Sequence, residues 1–191
     1  MLKRQQPATR PQPAPVIEVL QRLWQTKLST IALLEKWRAE TADSELESGL
    51  SRHLIDERRH ATMIGEQIRR LGGRITSGPK DAGTRAFAQA EEAGDDLQRL
   101  FALYRGVKPY TVDRCYHAMP HVDASLAQVL HKITLDEERH IRWADVRIQR
   151  LVTHANMREC NLIASRVRAG LQAAWERQWR HFSQMLHRAG A

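Results

Sequence analysis

A glutamate and a histidine three residues apart on a helix project from one face. There a carboxylate and an imidazole can together hold a metal ion, pass a proton or form a hydrogen-bonded pair. The chain carries this spacing twice inside a repeated phrase, DERRH at Asp56 to His60 and DEERH at Asp136 to His140. Setting Glu57 on Glu137 also sets Leu46 on Leu126, Leu50 on Leu130, Asp56 on Asp136 and His60 on His140, without a gap. One Glu-x-x-His on an exposed helix carries no information; two at matching places in apolar rows are a strong signal. The rows read Leu46, Leu50, His53, Glu57, His60, Ile64, Leu71 and Leu126, Leu130, Ile133, Glu137, His140, Ala144, Leu151. Both are at helical spacing, so both Glu/His pairs are expected to face inward.

The elements that must hold them are helices. Long stretches keep a 3.6-residue apolar period and alternating runs are scarce, which predicts an all-α chain. At 191 residues it fits one domain with a single core. The first helix is expected from Val16 to Thr41, and the second from Ser44, in a capping box with Glu47, to Gly72-Gly73. The third runs from Thr84 towards Met119, the fourth from an Asp123 N-cap to Val152, and the fifth from Asn156 to His187. GGRITSGPKDAG, after the second helix, is the clearest loop. A helix of about 28 residues is roughly 42 Å long, and about 12 extended residues cover that distance. The loop can therefore cross the length of the molecule, while tight connections make hairpins of helices one and two and of helices three and four. The expected architecture is a four-helix bundle over 16–153 with one long crossover, followed by an amphipathic C-terminal helix over 154–191. Residues 1–15, MLKRQQPATRPQPAP, read as a disordered basic tail.

Two Glu-x-x-His pairs on a duplicated hairpin, joined by a crossover, resemble the ferritin-like superfamily. That group includes ferritins, rubrerythrins, the ribonucleotide reductase small subunit and bacterial di-iron oxygenases. The resemblance covers Val16 to Val152. It implies a bundle in which a glutamate from each of two helices joins the two Glu-x-x-His pairs to bind two metal ions. By that resemblance Glu57, His60, Glu137 and His140 match metal-ligand positions, and the other two carboxylates belong about thirty residues earlier, on helices one and three. Lysines stand there instead. Lys27 continues the row Leu20, Leu23, Lys27, Ile31, Leu34, and Lys108 lies in the row Leu97, Phe101, Tyr104, Lys108, Val112, Cys115.

Two divalent ions facing four carboxylates sum to zero charge, and so do two ammonium groups facing Glu57 and Glu137. Adding a divalent ion to the second arrangement would leave excess positive charge in an apolar core, at a cost of about several kcal/mol or more. The expectation is a degenerate di-iron site with no metal cofactor, built from buried Lys-Glu pairs with His60 and His140 as hydrogen-bond partners. If the cluster does chemistry, Lys27, Lys108 and Tyr104 are its candidate catalytic residues; for Tyr104, core packing with its hydroxyl near the site is the simpler role. His53 reads as a hydrogen-bonded core histidine, Trp143 as packing, and His117, His121 and His131 as surface or loop residues. Pro109, beside Gly106, is expected to kink the third helix.

Composition narrows the classes further. There is no run of 18 apolar residues, so no membrane span is expected. Two cysteines, Cys115 and Cys160, are too few for a disulfide framework, which points to a reducing, cytoplasmic setting. Thirty Lys+Arg against 22 Asp+Glu give +8; the excess is scattered, which favours a solvated basic surface over a nucleic-acid patch. The fifth helix sets Cys160, Ile163, Val167, Leu171, Trp175, Phe182 and Met185 on one side. It either covers the bundle or forms a homodimer or partner interface. Three functions fit these features. One is a metal-free binding or structural protein, or one with unusual Lys/Tyr chemistry. The second is an iron- or manganese-dependent oxidase or oxygenase using the two Glu-x-x-His pairs, and the third a basic accessory protein for a partner or nucleic acid.

Overall fold

A computed structural model of the chain describes residues 14–76 and 82–189. Among the described residues the regular structure is helical and no strand forms. The elements are α1 (Ala14–Glu40), α2 (Ser44–Arg70), α3 (Ala82–Glu91), α4 (Asp96–Leu100), a π-helical segment (Phe101–Val107), α5 (Lys108–Ala118), a 3-10 turn (Met119–His121), α6 (Ala124–Leu151) and α7 (His154–Ala189). The expected tail falls on residues 1–13, outside the described residues, except that Ala14 and Pro15 open α1.

The two Glu-x-x-His helices begin alike. Asp43 caps α2 by accepting from the Leu46 N–H at 2.9 Å, and Asp123 caps α6 by accepting from Leu126 at 3.0 Å. The expected Ser44 cap is therefore one residue late. Asp43 has the extended backbone that a cap requires, and its carboxylate also meets the positive end of the helix. α2 ends where Gly72, at φ 82°, reverses the chain, with the Gly73 N–H returning to the Ile68 carbonyl at 2.9 Å.

The expected third helix is broken. α3 stops at Glu91, and Asp95 starts a new helix by accepting from Gln98 N–H at 2.8 Å, with Gly94 at the break. The new helix then passes through the π-helical segment before Pro109, where the Lys108 N–H reaches back to the Leu103 carbonyl. In an α-helix the residue at position 109 would donate to Arg105, but proline has no N–H to give. The Arg105 carbonyl accepts instead from Arg168 Nη2 of α7 at 2.6 Å. The helical period thus changes from π to α immediately before Pro109.

α1 packs along α2, α5 along α6, and α2 meets α6, which brings the duplicated phrases face to face. α7 lies across α1, α3 and the π-helical segment, burying Cys160, Ala164, Val167, Leu171, Trp175 and Phe182. Its apolar face covers the chain's own core. The inward rows are mostly buried as expected, with Ile31, Leu71, Ile163 and Met185 half-buried and one clear correction: Leu151, the last residue of α6, is 44 % exposed because the helix has run past the core there. No described helix is long and apolar enough to cross a membrane.

Candidate functional site

Four helical stretches each bring one charged side chain to a common point. Lys27 comes from α1, Glu57 from α2, Lys108 from the first residue of α5 and Glu137 from α6, and none is more than 3 % exposed. Each glutamate divides its two oxygens between the two lysines. Lys27 Nζ lies 3.0 Å from Glu57 Oε2 and donates to Glu137 Oε1. Lys108 Nζ donates to Glu57 Oε1 and, at 2.5 Å, to Glu137 Oε2. The result is a closed ring of alternating charge that sums to zero, and lysine and glutamate are both where the apolar rows place them. Tolerating four buried charges requires this pairing, since one unmatched ion would be strongly destabilising.

Around the ring the phrases are cross-linked. His60 Nε2 is 3.0 Å from Asp136 Oδ2, and His140 Nε2 is 3.0 Å from Asp56 Oδ2, so the histidine of each phrase reaches the aspartate of the other. Arg59 Nη2 bridges both aspartates, at 2.6 Å from Asp56 Oδ1 and 2.8 Å from Asp136 Oδ2, and Arg139 pairs with Asp136. These aspartates and arginines were assigned no role from spacing alone. The signal was nonetheless in the repeat, which duplicates Asp56/Asp136 and Arg59/Arg139 as faithfully as the glutamates and histidines.

The two histidines are not equivalent. Lys108 Nζ is 3.3 Å from His140 Nδ1. An ammonium can only donate, so Nδ1 accepts and the opposite N–H of the ring is given to Asp56. His60 has no lysine at that position. Its buried Nδ1 has no hydrogen-bond partner, and the nearest carboxylate oxygens are Glu137 Oε1 at 3.5 Å and Glu57 Oε2 at 3.9 Å. Burial resists charge on His60, but Glu137 and Glu57 outweigh it and raise its pKa.

His53 and Tyr104 form a neighbouring layer. His53 Nδ1 is 2.6 Å from the Tyr104 hydroxyl, and the His53 ring lies over His140 with centroids 3.9 Å apart. His53 is the hydrogen-bonded core histidine expected; burial, reinforced by His140 and Lys108, pushes its pKa far down. Tyr104 is fully buried with Lys108 Nζ 5.6 Å from its ring centroid, and its hydroxyl serves His53 rather than the charged ring. Trp143 packs edge-on against both, while His117, His121 and His131 are exposed.

The electrostatics favour the charged forms of Glu57, Glu137 and Lys27. Burial raises the Glu57 carboxyl pKa and Glu137 adds to that, yet Lys108 and Lys27 outweigh both and bring it down to about 2. Glu137, against the same burial, is held well below the usual carboxylate range by Lys108 and Lys27. Burial disfavours the Lys27 ammonium, but Glu137 and Glu57 raise its pKa above the ordinary value. For Glu57 the folded value lies below the ordinary 4.5, so its stabilisation is present above that pH and is lost as pH falls towards about 2. Lys27 acts at the other edge, stabilising fully below 10.5 and losing that contribution as pH rises further. Urea midpoints should therefore fall as pH drops below 4.5, adding to the decline that the depressed His53 starts below 6.5. A midpoint that rises as pH falls from 4.5 towards 2 would contradict the ionised carboxylates; above 6.5 the raised His60 pKa works in the opposite sense.

Glu57, Glu137 and His140 offer three ligand atoms within 4.8 Å of one another, enough to begin a site for one ion. Their lone pairs are engaged by ammonium protons, however. Lys108 alone binds all three groups, and His60 stands outside the set. As these residues stand they do not fit a two-metal centre, because a divalent ion would have to displace or deprotonate the lysines. Compared with protein-family models, curated proteins and solved structures, the chain matches none.

Proposed function

We propose that the chain is a metal-independent member of the ferritin-like superfamily and acts as a binding or structural protein, its two-metal centre replaced by the Lys27–Glu57–Lys108–Glu137 ring. The bundle would comprise α1, α2, the stretch from α4 through α5, and α6, with α7 added across it. One observation carries the reading: each carboxylate bridges two ammonium groups, as a bridging carboxylate would bridge two metal ions. The pairing of α1 with α2 and of α5 with α6, and the matched Asp43 and Asp123 caps, support the duplicated hairpin.

The ring's chemistry favours this role over catalysis. A protonated lysine is no nucleophile, and the carboxylates that could remove its proton are the groups holding it charged. The Tyr104 hydroxyl is kept protonated by burial and by Glu57 and Glu137, and is bound to His53. Protein expressed in iron- and manganese-supplemented medium should carry far less than one equivalent of metal by elemental analysis. The three-group cluster of Glu57, Glu137 and His140 favours the second reading, an iron or manganese oxidase. Stoichiometric metal that is lost in His140→Ala would establish that reading and remove the first.

A further inference from the structure

The first turns of α2 and the last turns of α6 border a groove of about 490 Å³, within the roughly 300–1,000 Å³ of small-molecule sites. Its lining includes Trp143, whose indole packs closely against Gly49. A Cβ at Gly49 would sit 2.0 Å from Trp143 Cζ2, so only glycine lets the ring lie there. Behind the indole are His53, with centroids 4.7 Å apart, and Tyr104, at 5.8 Å. The ring is therefore a braced aromatic platform, half-buried, and it lines the groove.

The walls are cationic, with Arg52, Arg147 and Arg150 against Glu45. Arg147 is engaged, pairing with Glu45 and lying 3.5 Å from Asp43. The other two are loosely held. Arg52 Nη1 is 3.3 Å from Ser48 Oγ, and Arg150 is 3.8 Å from Glu45, both side chains of this last pair being more than 60 % exposed. Guanidinium groups suit phosphate oxygens, whereas the N-terminal end of α2 is already taken by the Asp43 cap and carries Glu45 and Glu47 in its first turn. We propose that this groove is a nucleotide-binding site, with the base stacked on Trp143 and the phosphate held by Arg52 and Arg150 after Glu45 swings away. The site is independent of whether the buried ring binds metal. Its ligand is either a free mononucleotide or the phosphorylated end of a nucleic-acid strand, which offer the same ring and phosphate.

Isothermal titration calorimetry on the full chain with AMP, adenosine and a 5′-phosphorylated trinucleotide tests the proposal. At least one phosphorylated probe should bind with a Kd below about 1 mM, and adenosine should bind at least about tenfold more weakly than AMP. Arg150→Gln and Trp143→Leu should each weaken phosphorylated-probe binding about tenfold. Glu45→Gln should strengthen it severalfold by removing the competing carboxylate. Circular dichroism checks that Trp143→Leu folds; the two exposed substitutions decide the question if it does not. A trinucleotide that binds more tightly than AMP identifies a strand end, and equal affinities identify a mononucleotide; both uphold the site. The assignment is overturned if neither phosphorylated probe binds, if adenosine binds as well as AMP, or if Arg150→Gln and Glu45→Gln leave affinity unchanged.

Discussion

Lys108→Met is expected to destabilise the fold by about 3–5 kcal/mol, the range found when one member of a buried ion pair is removed. The residue is 1 % exposed, and its ammonium donates to Glu57, Glu137 and His140. Methionine fills most of its volume, so the loss reports charge rather than a cavity. Two glutamates would then share Lys27 alone, and one negative charge would remain in the core without a counter-charge. Urea unfolding monitored by circular dichroism measures the change, provided the m value matches that of the wild type. Adding Glu57→Gln to Lys108→Met restores neutrality, so the double variant should lose less than the sum of the single changes. A loss under about 1 kcal/mol for Lys108→Met would place that lysine in the range of exposed ion pairs and remove it from the ring.

A still larger effect is expected from Lys27→Glu combined with Lys108→Glu. This change surrounds the buried point with four carboxylates and leaves no ammonium, so the apo-protein should be unfolded or nearly so at neutral pH. Divalent metal should then become the source of stability. Iron(II) or manganese(II) should raise the melting temperature with concentration, as a ligand that binds only the folded state must. His60 and His140 both border this point, His60 with a free Nδ1 and His140 with an Nδ1 released from Lys108. Thermal scans across a metal titration give the result directly. A double variant as stable as the wild type without metal, and indifferent to it, would refute the equivalence between the lysines and the missing carboxylates.

The closed ring also accounts for the difference between His60 and His140, which a sequence duplication would make alike. Lys108 reaches His140 Nδ1, whereas the corresponding His60 nitrogen finds only distant carboxylate oxygens. The two lysines therefore do not act symmetrically. Lys108 holds three groups of the site and Lys27 holds two. For that reason Lys108 is the more damaging residue to remove.

The amino-acid sequence by itself determined the helical class and the inward rows, and its repeated phrase set Glu57 level with Glu137; that Lys27 and Lys108 stand at the same depth was implied by the resemblance. Those properties are local: a 3.6-residue period assigns each side chain to a face, and the repeated phrase aligns two helices without reference to anything between them. Only tertiary structure decided which atom meets which. The crossed His60–Asp136 and His140–Asp56 contacts depend on how α2 lies against α6, and no spacing within either helix encodes that offset. The break at Gly94 and the π-helical segment before Pro109 were likewise beyond reach, since the carbonyl that proline leaves free is claimed by Arg168, 63 residues away in the chain. α7 offered an amphipathic face without naming what it would cover, and its seat against α1, α3 and the π-helical segment arises from packing. Periodicity tells a side chain which way to face, but the partner it finds there is set by the relative register of separate helices, which comes into being only when the core closes.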